Sequence, residues 1–183
     1  EESTPKLGTV RVFDGETNTL LDPDDWTPGS SVSAPTMQGC NRVVVRNPYV
    51  FVANNYGNTV TAIDAADLDD IRRLGEEPTF ATDPDGLALA GDYLLAGAAG
   101  TVEAFDVSDP TDPVSVDIHH FEENVGAHDL EVVGDTVYVT GQATDELHVL
   151  SLRGESGSAR LDALYVEEAA NVTDLRAARD GVP

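Results

Sequence analysis

The chain has little sulfur and little positive charge. It holds one cysteine, Cys40, so no disulfide can form within it and no cysteine-based zinc site exists. Lysine occurs once, at Lys6, and Lys plus Arg number 10 against 34 Asp plus Glu. That balance argues against nucleic acid as a partner, because binding phosphates takes a basic patch. Aromatics make up 6% of the chain, with Trp26 the single tryptophan. Such scarcity leaves little for stacking on sugars and weighs against a carbohydrate-binding module. No apolar run approaches the roughly 20 residues that cross a bilayer as a helix, so no membrane span is expected. Catalytic signatures are missing as well: no glycine-rich phosphate loop, no Gly-x-Ser-x-Gly and no His-Glu-x-x-His. Asp22-Pro23-Asp24-Asp25 and Asp83-Pro84-Asp85-Gly86 lack the alternating oxygens and terminal Glu of a calcium loop.

What is abundant is acid. The 183 residues carry a formal charge of −24, spread along the chain rather than gathered in a tail. The apolar content of 40% and a clear strand periodicity are those of a folded chain, not a disordered one. Self-repulsion on this scale is relieved when salt shortens the screening length to about 3 Å at 1 M. Scarce lysine beside abundant Asp is similar to the habit of halophiles that balance salt inside and out. A polyanionic surface for cations or basic partners is the other reading.

The pattern repeats. Thr101–Val116 reads TVEAFDVSDPTDPVSV: a short strand, an Asp/Pro turn that no helix can cross, and a second strand. The frame recurs at Thr9–Leu21, Thr59–Leu74 and Glu146–Leu164, and its strand ends on Asp14, Asp64 and Asp106, with Ser151 in that slot of the last copy. A second frame precedes the full copies at Asn41–Asn54, Asp85–Gly97 and His128–Gly141. Each is a pair of strands turning at Asn47-Pro48, Gly91-Asp92 or Gly134-Asp135. Val43, Leu87, Leu130 and Leu175 share one slot, 44, 43 and 45 residues apart. Leu68–Leu74 (LDDIRRL) fits a helical turn on the rim.

Four strands per period of about 40–45 residues predict an all-β chain built as a β-propeller of four-stranded antiparallel blades. The expected organisation is a single domain or propeller sector. It has an outer half-blade at 8–21, blades at 41–74, 85–116 and 128–164, and an inner half-blade at 172–183. These amount to about four blade units, either a small closed ring or a sector of a larger one. Asp106-Val107-Ser108-Asp109-Pro110 with Pro113, preceded by Gly91-Asp92-Tyr93, resembles the signature of LVIVD-repeat propellers. The second unit departs from it at Ala65–Asp69, and the fourth lacks the prolines. The resemblance implies a fold and an interaction surface, not one chemistry.

The alignment of repeats places Asn41, Asp85, His128 and Thr173 in one slot, at the start of the innermost strand and so at the mouth of the channel. Polar residues there either line a wet mouth or hold an ion. His119, His120 and His128 bring three of the four histidines within ten residues. With Asp85 they form a candidate copper or zinc set. Gly126-Ala127-His128-Asp129 is similar to selenium-binding-protein propellers, a resemblance that implies copper held by histidines. Adjacent His119 and His120 in a strand would face opposite ways.

Two expectations of function follow. The first is a non-catalytic protein-interaction scaffold without a cofactor, extracellular or on the cell surface, that meets a protein partner or another copy of itself. The alternative is a metal-dependent (Cu or Zn) enzyme or metal-binding protein that uses His128, Asp85, His119 and His120.

Overall fold

The computed structural model describes residues 10–11, 13–14, 19–20, 31–32, 37–67, 70–74, 83–122, 125–153 and 160–168. Thr173, Trp26, the Asp22–Asp25 cluster and the segment 172–183 lie outside them.

The chain is all-β and its body is three four-stranded antiparallel sheets. Before them come four two-residue strands: β1 (Val10–Arg11), β2 (Phe13–Asp14), β3 (Thr19–Leu20) and β4 (Ser31–Val32). β2 pairs with β3, the hairpin expected there, whereas β1 pairs with β4, inside a stretch whose Pro, Ser and Gly content reads as loop.

The first sheet runs in chain order through β5 (Cys40–Arg46), β6 (Tyr49–Asn54), β7 (Thr59–Asp64) and β8 (Arg72–Leu74). The second holds β9 (Gly86–Ala90), β10 (Tyr93–Ala98), β11 (Thr101–Asp106) and β12 (Val114–His120). The third holds β13 (Ala127–Val133), β14 (Thr136–Gly141), β15 (Glu146–Arg153) and β16 (Arg160–Glu168). The two-residue turns fall at Asn47-Pro48, Gly91-Asp92 and Gly134-Asp135, with Gly91 and Gly134 at φ 59° and 60°. Positive φ is the reason a glycine opens both of those turns.

Arg72–Leu74 is a strand, not a helical turn. It pairs with Ala62–Asp64, and Arg72 lies 3.5 Å from Asp64. Antiparallel pairing of the sheet edge overrides the local helical pattern.

The recurring Asp at the end of the third strand has a structural reason. Asp64 accepts a hydrogen bond from the Ala66 N–H, and Asp106 from the Ser108 N–H, both at 2.9 Å. Each carboxylate turns the chain out of the strand by bonding the backbone two residues on. The Ser108 bonds hold the Asp106 carboxyl below the usual carboxylate range. Asp109 caps Thr111 in the same way.

The middle sheet is buried on both faces, because strand side chains alternate. Leu94 and Ala96 of β10 face the first sheet, in a cluster with Phe51, Ala53, Val60, Leu87 and Phe105. Tyr93 and Leu95 face the third, with Val102, Ala104, Leu130, Val137, Val139, Leu150 and Leu152. Burying one such Leu removes about 1.5–3 kcal/mol of exposure cost. A third cluster, Met37, Val52, Ile63 and Ile71, lies on the other face of the first sheet. Gly97 lets the second and third sheets close up: a Cβ there would stand 2.5 Å from the Ala127 carbonyl oxygen.

Candidate functional site

The first strands of the three sheets, β5, β9 and β13, enclose a half-open groove of about 280 Å³. β5 contributes Arg42 to Val45, β9 contributes Leu87 to Leu89, and β13 contributes Asp129 to Val132. Eight of the eleven lining residues are aliphatic. The charged lining residues among those described are Arg42, Asp129 and Glu131.

Two matched irregularities aim these charges. The pairing of β5 with β6 skips Asn41, and the pairing of β13 with β14 skips His128. Each is an extra residue that bends its strand, a feature enriched beside active sites. After the first bulge, Arg42, Val44 and Arg46 share one side of β5 and are half-buried, while Val43 and Val45 are 54% and 62% exposed. After the second, Asp129 is buried and its N–H donates to Thr140 Oγ1 at 3.1 Å.

Arg42 then spans the groove. Its Nη2 lies 3.2 Å from Asp129 Oδ1 and donates to the His128 carbonyl oxygen at 3.3 Å. The repeat slot shared by Arg42 and Asp129 belongs to Gly86 in the middle sheet. A Cβ on Gly86 would meet the Leu130 side chain and stand 3.2 Å from that same His128 oxygen. The missing side chain keeps the crossing open. Further along β5, Arg46 donates to the Val107 carbonyl oxygen and lies 3.1 Å from Asp92 Oδ1, tying the first sheet to the second.

The structure brings part of the expected mouth together. Asp85 Oδ1 accepts from Asn41 Nδ2 and from Asn55 Nδ2, each at 2.6 Å. The Asp85 N–H donates to the Gly97 carbonyl oxygen at 2.8 Å. His128 is not part of that cluster; its backbone carbonyl accepts from Arg42 instead.

The other histidines lie elsewhere. His119 and His120 end β12 opposite Val102 and Thr101, with His119 half-buried and His120 exposed. His119 packs edge-on against Phe121 at 4.7 Å, and Phe121 lies 4.8 Å from His148 of the third sheet. His148 Nε2 sits 3.1 Å from Glu146 Oε2 without the alignment of a hydrogen bond. Burial pushes His148 below the usual histidine range, against the pull of Glu146. His119 is lowered too, first by burial and then by His148. Among the described residues no three His, Cys, Asp or Glu side chains converge to hold a metal ion.

The sequence pattern found the slot but not the groove. Asn41 and His128 are singled out by type, whereas the charges that meet are those one residue later. A bulge at Asn41 and at His128 sets the register of the residues that follow, and the sequence carries no signal for it, since Asp85 in the same slot has no bulge.

No family model matches the chain by sequence, and no curated protein does. Solved structures match its fold. One is a functionally unknown protein from Desulfotomaculum acetoxidans DSM 771, 15% identical, TM-score 0.66, covering 84% of this chain and 47% of that one. Another is the periplasmic gluconolactonase of Pseudomonas aeruginosa, 16% identical, TM-score 0.65, covering 76% and 42%. A third is a putative 6-phosphogluconolactonase from Bacteroides uniformis, 18% identical, TM-score 0.63, covering 90% and 50%. The chain spans about half the length of these structures, and the fold they share with it is of the β-propeller kind. Among the described residues no helix is long and apolar enough to cross a membrane. The expectation of a non-catalytic interaction scaffold is corrected here. The fold neighbours with a stated activity above are lactonases, which conflicts with that expectation. The copper or zinc alternative on His128, Asp85, His119 and His120 does not describe the groove, since among the described residues no three such side chains come together.

Proposed function

We propose that the three sheets are consecutive blades of a propeller and that the groove at their inner strands hydrolyses a cyclic ester of the sugar-lactone type. The observation that carries this reading is the Arg42–Asp129 pair at 3.2 Å in a groove that Glu131 and aliphatic side chains also line. Opening a lactone takes two things: a base for the attacking water and a positive group near the carbonyl oxygen as it gains charge. Glu131 takes the water proton as the oxygen bonds to the carbonyl carbon. Arg42, oriented by Asp129, faces the developing oxyanion. The ring C–O bond then breaks, the proton passes to the ring oxygen, and a hydroxy acid leaves. A positioned base contributes about 10²–10⁴ in rate.

In the same reading the ring holds more blades than the three described sheets, since the likeness covers 42–50% of the other chains. An extracellular or surface location goes with it, as does adaptation to salt, which the charge of −24 supports. The test is a pH-stat assay of D-glucono-1,5-lactone in about 2 M KCl. A saturable rate above spontaneous hydrolysis is expected. A rate equal to that of buffer overturns the proposal.

A further inference from the structure

We infer that the groove keeps hold of the ring-opened acid through Arg42, so that the product competes with the lactone that forms it. The inference rests on the reading of the groove as a lactone site and adds its regulation. Ring opening changes the charge of the ligand but not the place of its reacting carbon. The carbonyl oxygen that faces Arg42 and the oxygen of the added water become the two oxygens of a carboxyl group. One water proton ends on the ring oxygen. The other leaves to solvent as the acid ionises, which a carboxyl group does well below neutral pH. A neutral ester is thereby exchanged for an anion with one oxygen already against the guanidinium.

Arg42 has donors to meet that anion. A guanidinium offers five N–H groups. The contacts of Arg42 with other described residues run through Nη2, to Asp129 Oδ1 at 3.2 Å and to the His128 carbonyl oxygen at 3.3 Å. Among the described residues, Nη1 and Nε have no partner. The side chain is half-buried and lines the groove, so it is neither sealed in nor fully hydrated. The aliphatic residues around it thin the water that competes for its donors. A hydrogen bond between guanidinium and carboxylate is about twice as strong as one between neutral groups. Asp129 and Glu131 line the same groove and oppose an anion, so the acid is held rather than trapped. A polyol of the same length keeps the hydroxyls and forgoes the ion pair.

The experiment has two arms. The first does not depend on turnover: equilibrium dialysis of the full chain with D-gluconate and with D-glucitol, in which an alcohol replaces the carboxylate. Gluconate is expected to bind about fivefold tighter or more. Equal binding, tighter glucitol or binding of neither overturns the inference. The second arm is hydrolysis of D-glucono-1,5-lactone with added gluconate. The apparent KM is expected to rise with kcat unchanged, as for a ligand of the same site. A constant KM at gluconate concentrations that saturate in dialysis overturns the inference and leaves the lactonase reading standing. Bound gluconate without any hydrolysis supports the carboxylate seat and overturns the lactonase reading. Asp129→Asn removes an opposing carboxylate and is expected to tighten gluconate about twofold or more. Looser binding in that variant, if folded, counts against the inference. Arg42→Gln combined with Asp129→Asn leaves neither charge of the pair and is expected to make gluconate and glucitol bind alike. An unchanged preference for gluconate in the folded double variant removes Arg42 as the seat.

Discussion

Arg42 and Asp129 meet at 3.2 Å although the whole second sheet separates them in the chain. The partner of Arg42 is thus not the neighbouring strand but the one beyond it. The crossing exists because the equivalent slot of the middle sheet is Gly86, where a Cβ would crowd Leu130 and approach the His128 oxygen. Three inner strands are thereby fastened at one point, and the same point carries the groove.

Loss of that fastening has a measurable cost. Arg42→Ala leaves Asp129, whose side chain is 10% exposed, without its counter-charge. A nearly buried charge stripped of its partner costs about 1–3 kcal/mol. Urea denaturation of Arg42→Ala, Asp129→Asn and the double variant measures it. The double variant is expected to be more stable than the sum of the single losses predicts.

Close approach of the second and third sheets gives a separate prediction. Gly97→Ala places a methyl group 2.5 Å from the Ala127 carbonyl oxygen, and backbone cannot give way cheaply. A loss of about 1–3 kcal/mol is expected, as for other overpacked cores. Gly91→Ala meets nothing within 4 Å and pays only for its φ of 59°. Its loss is expected nearer the roughly 1–2 kcal/mol of a left-handed residue. Thermal melts of the two variants distinguish packing from backbone strain.

Much of the fold was legible because period and turn chemistry are local. The Asp that ends a strand, the glycine turns and the 43–45-residue spacing are each written in a few adjacent residues. The strand at Arg72–Leu74 was not, since its conformation comes from pairing with Ala62–Asp64 and not from LDDIRRL itself. The site was half legible. Asn41 and Asp85 do meet, at 2.6 Å. Arg42 and Asp129 went unmarked because their meeting depends on two bulges and a glycine in three different sheets, which no single stretch displays.

Acid should loosen the joint between the second and third sheets. His148 is held below its unfolded range by burial, with Glu146 opposing, and His119 by burial, His148 and His120, with Asp117 and Asp162 opposing. A base whose folded pKa is depressed binds its proton more readily when unfolded. Its stabilising effect is therefore complete above the unfolded value near 6.5 and is lost as pH falls below it. The urea midpoint is expected to drop between pH 7.5 and 5.5, and His148→Gln to flatten that drop. An identical slope in the variant would count against the role of His148.

Salt should act in the opposite sense. With a charge of −24, raising KCl from about 0.1 M to about 2 M shortens the screening length several-fold and relieves self-repulsion. The midpoint of thermal unfolding is expected to rise throughout that range. A midpoint that stays constant would mean the carboxylates are too far apart to repel.

The most direct test of the account is the kcat of Glu131→Gln toward D-glucono-1,5-lactone, with folding verified by circular dichroism. The account predicts a loss of about 10²-fold or more with KM nearly unchanged, because the amide keeps the shape but cannot accept the water proton. A folded variant with wild-type kcat would remove Glu131 from the chemistry and with it the assignment of this groove.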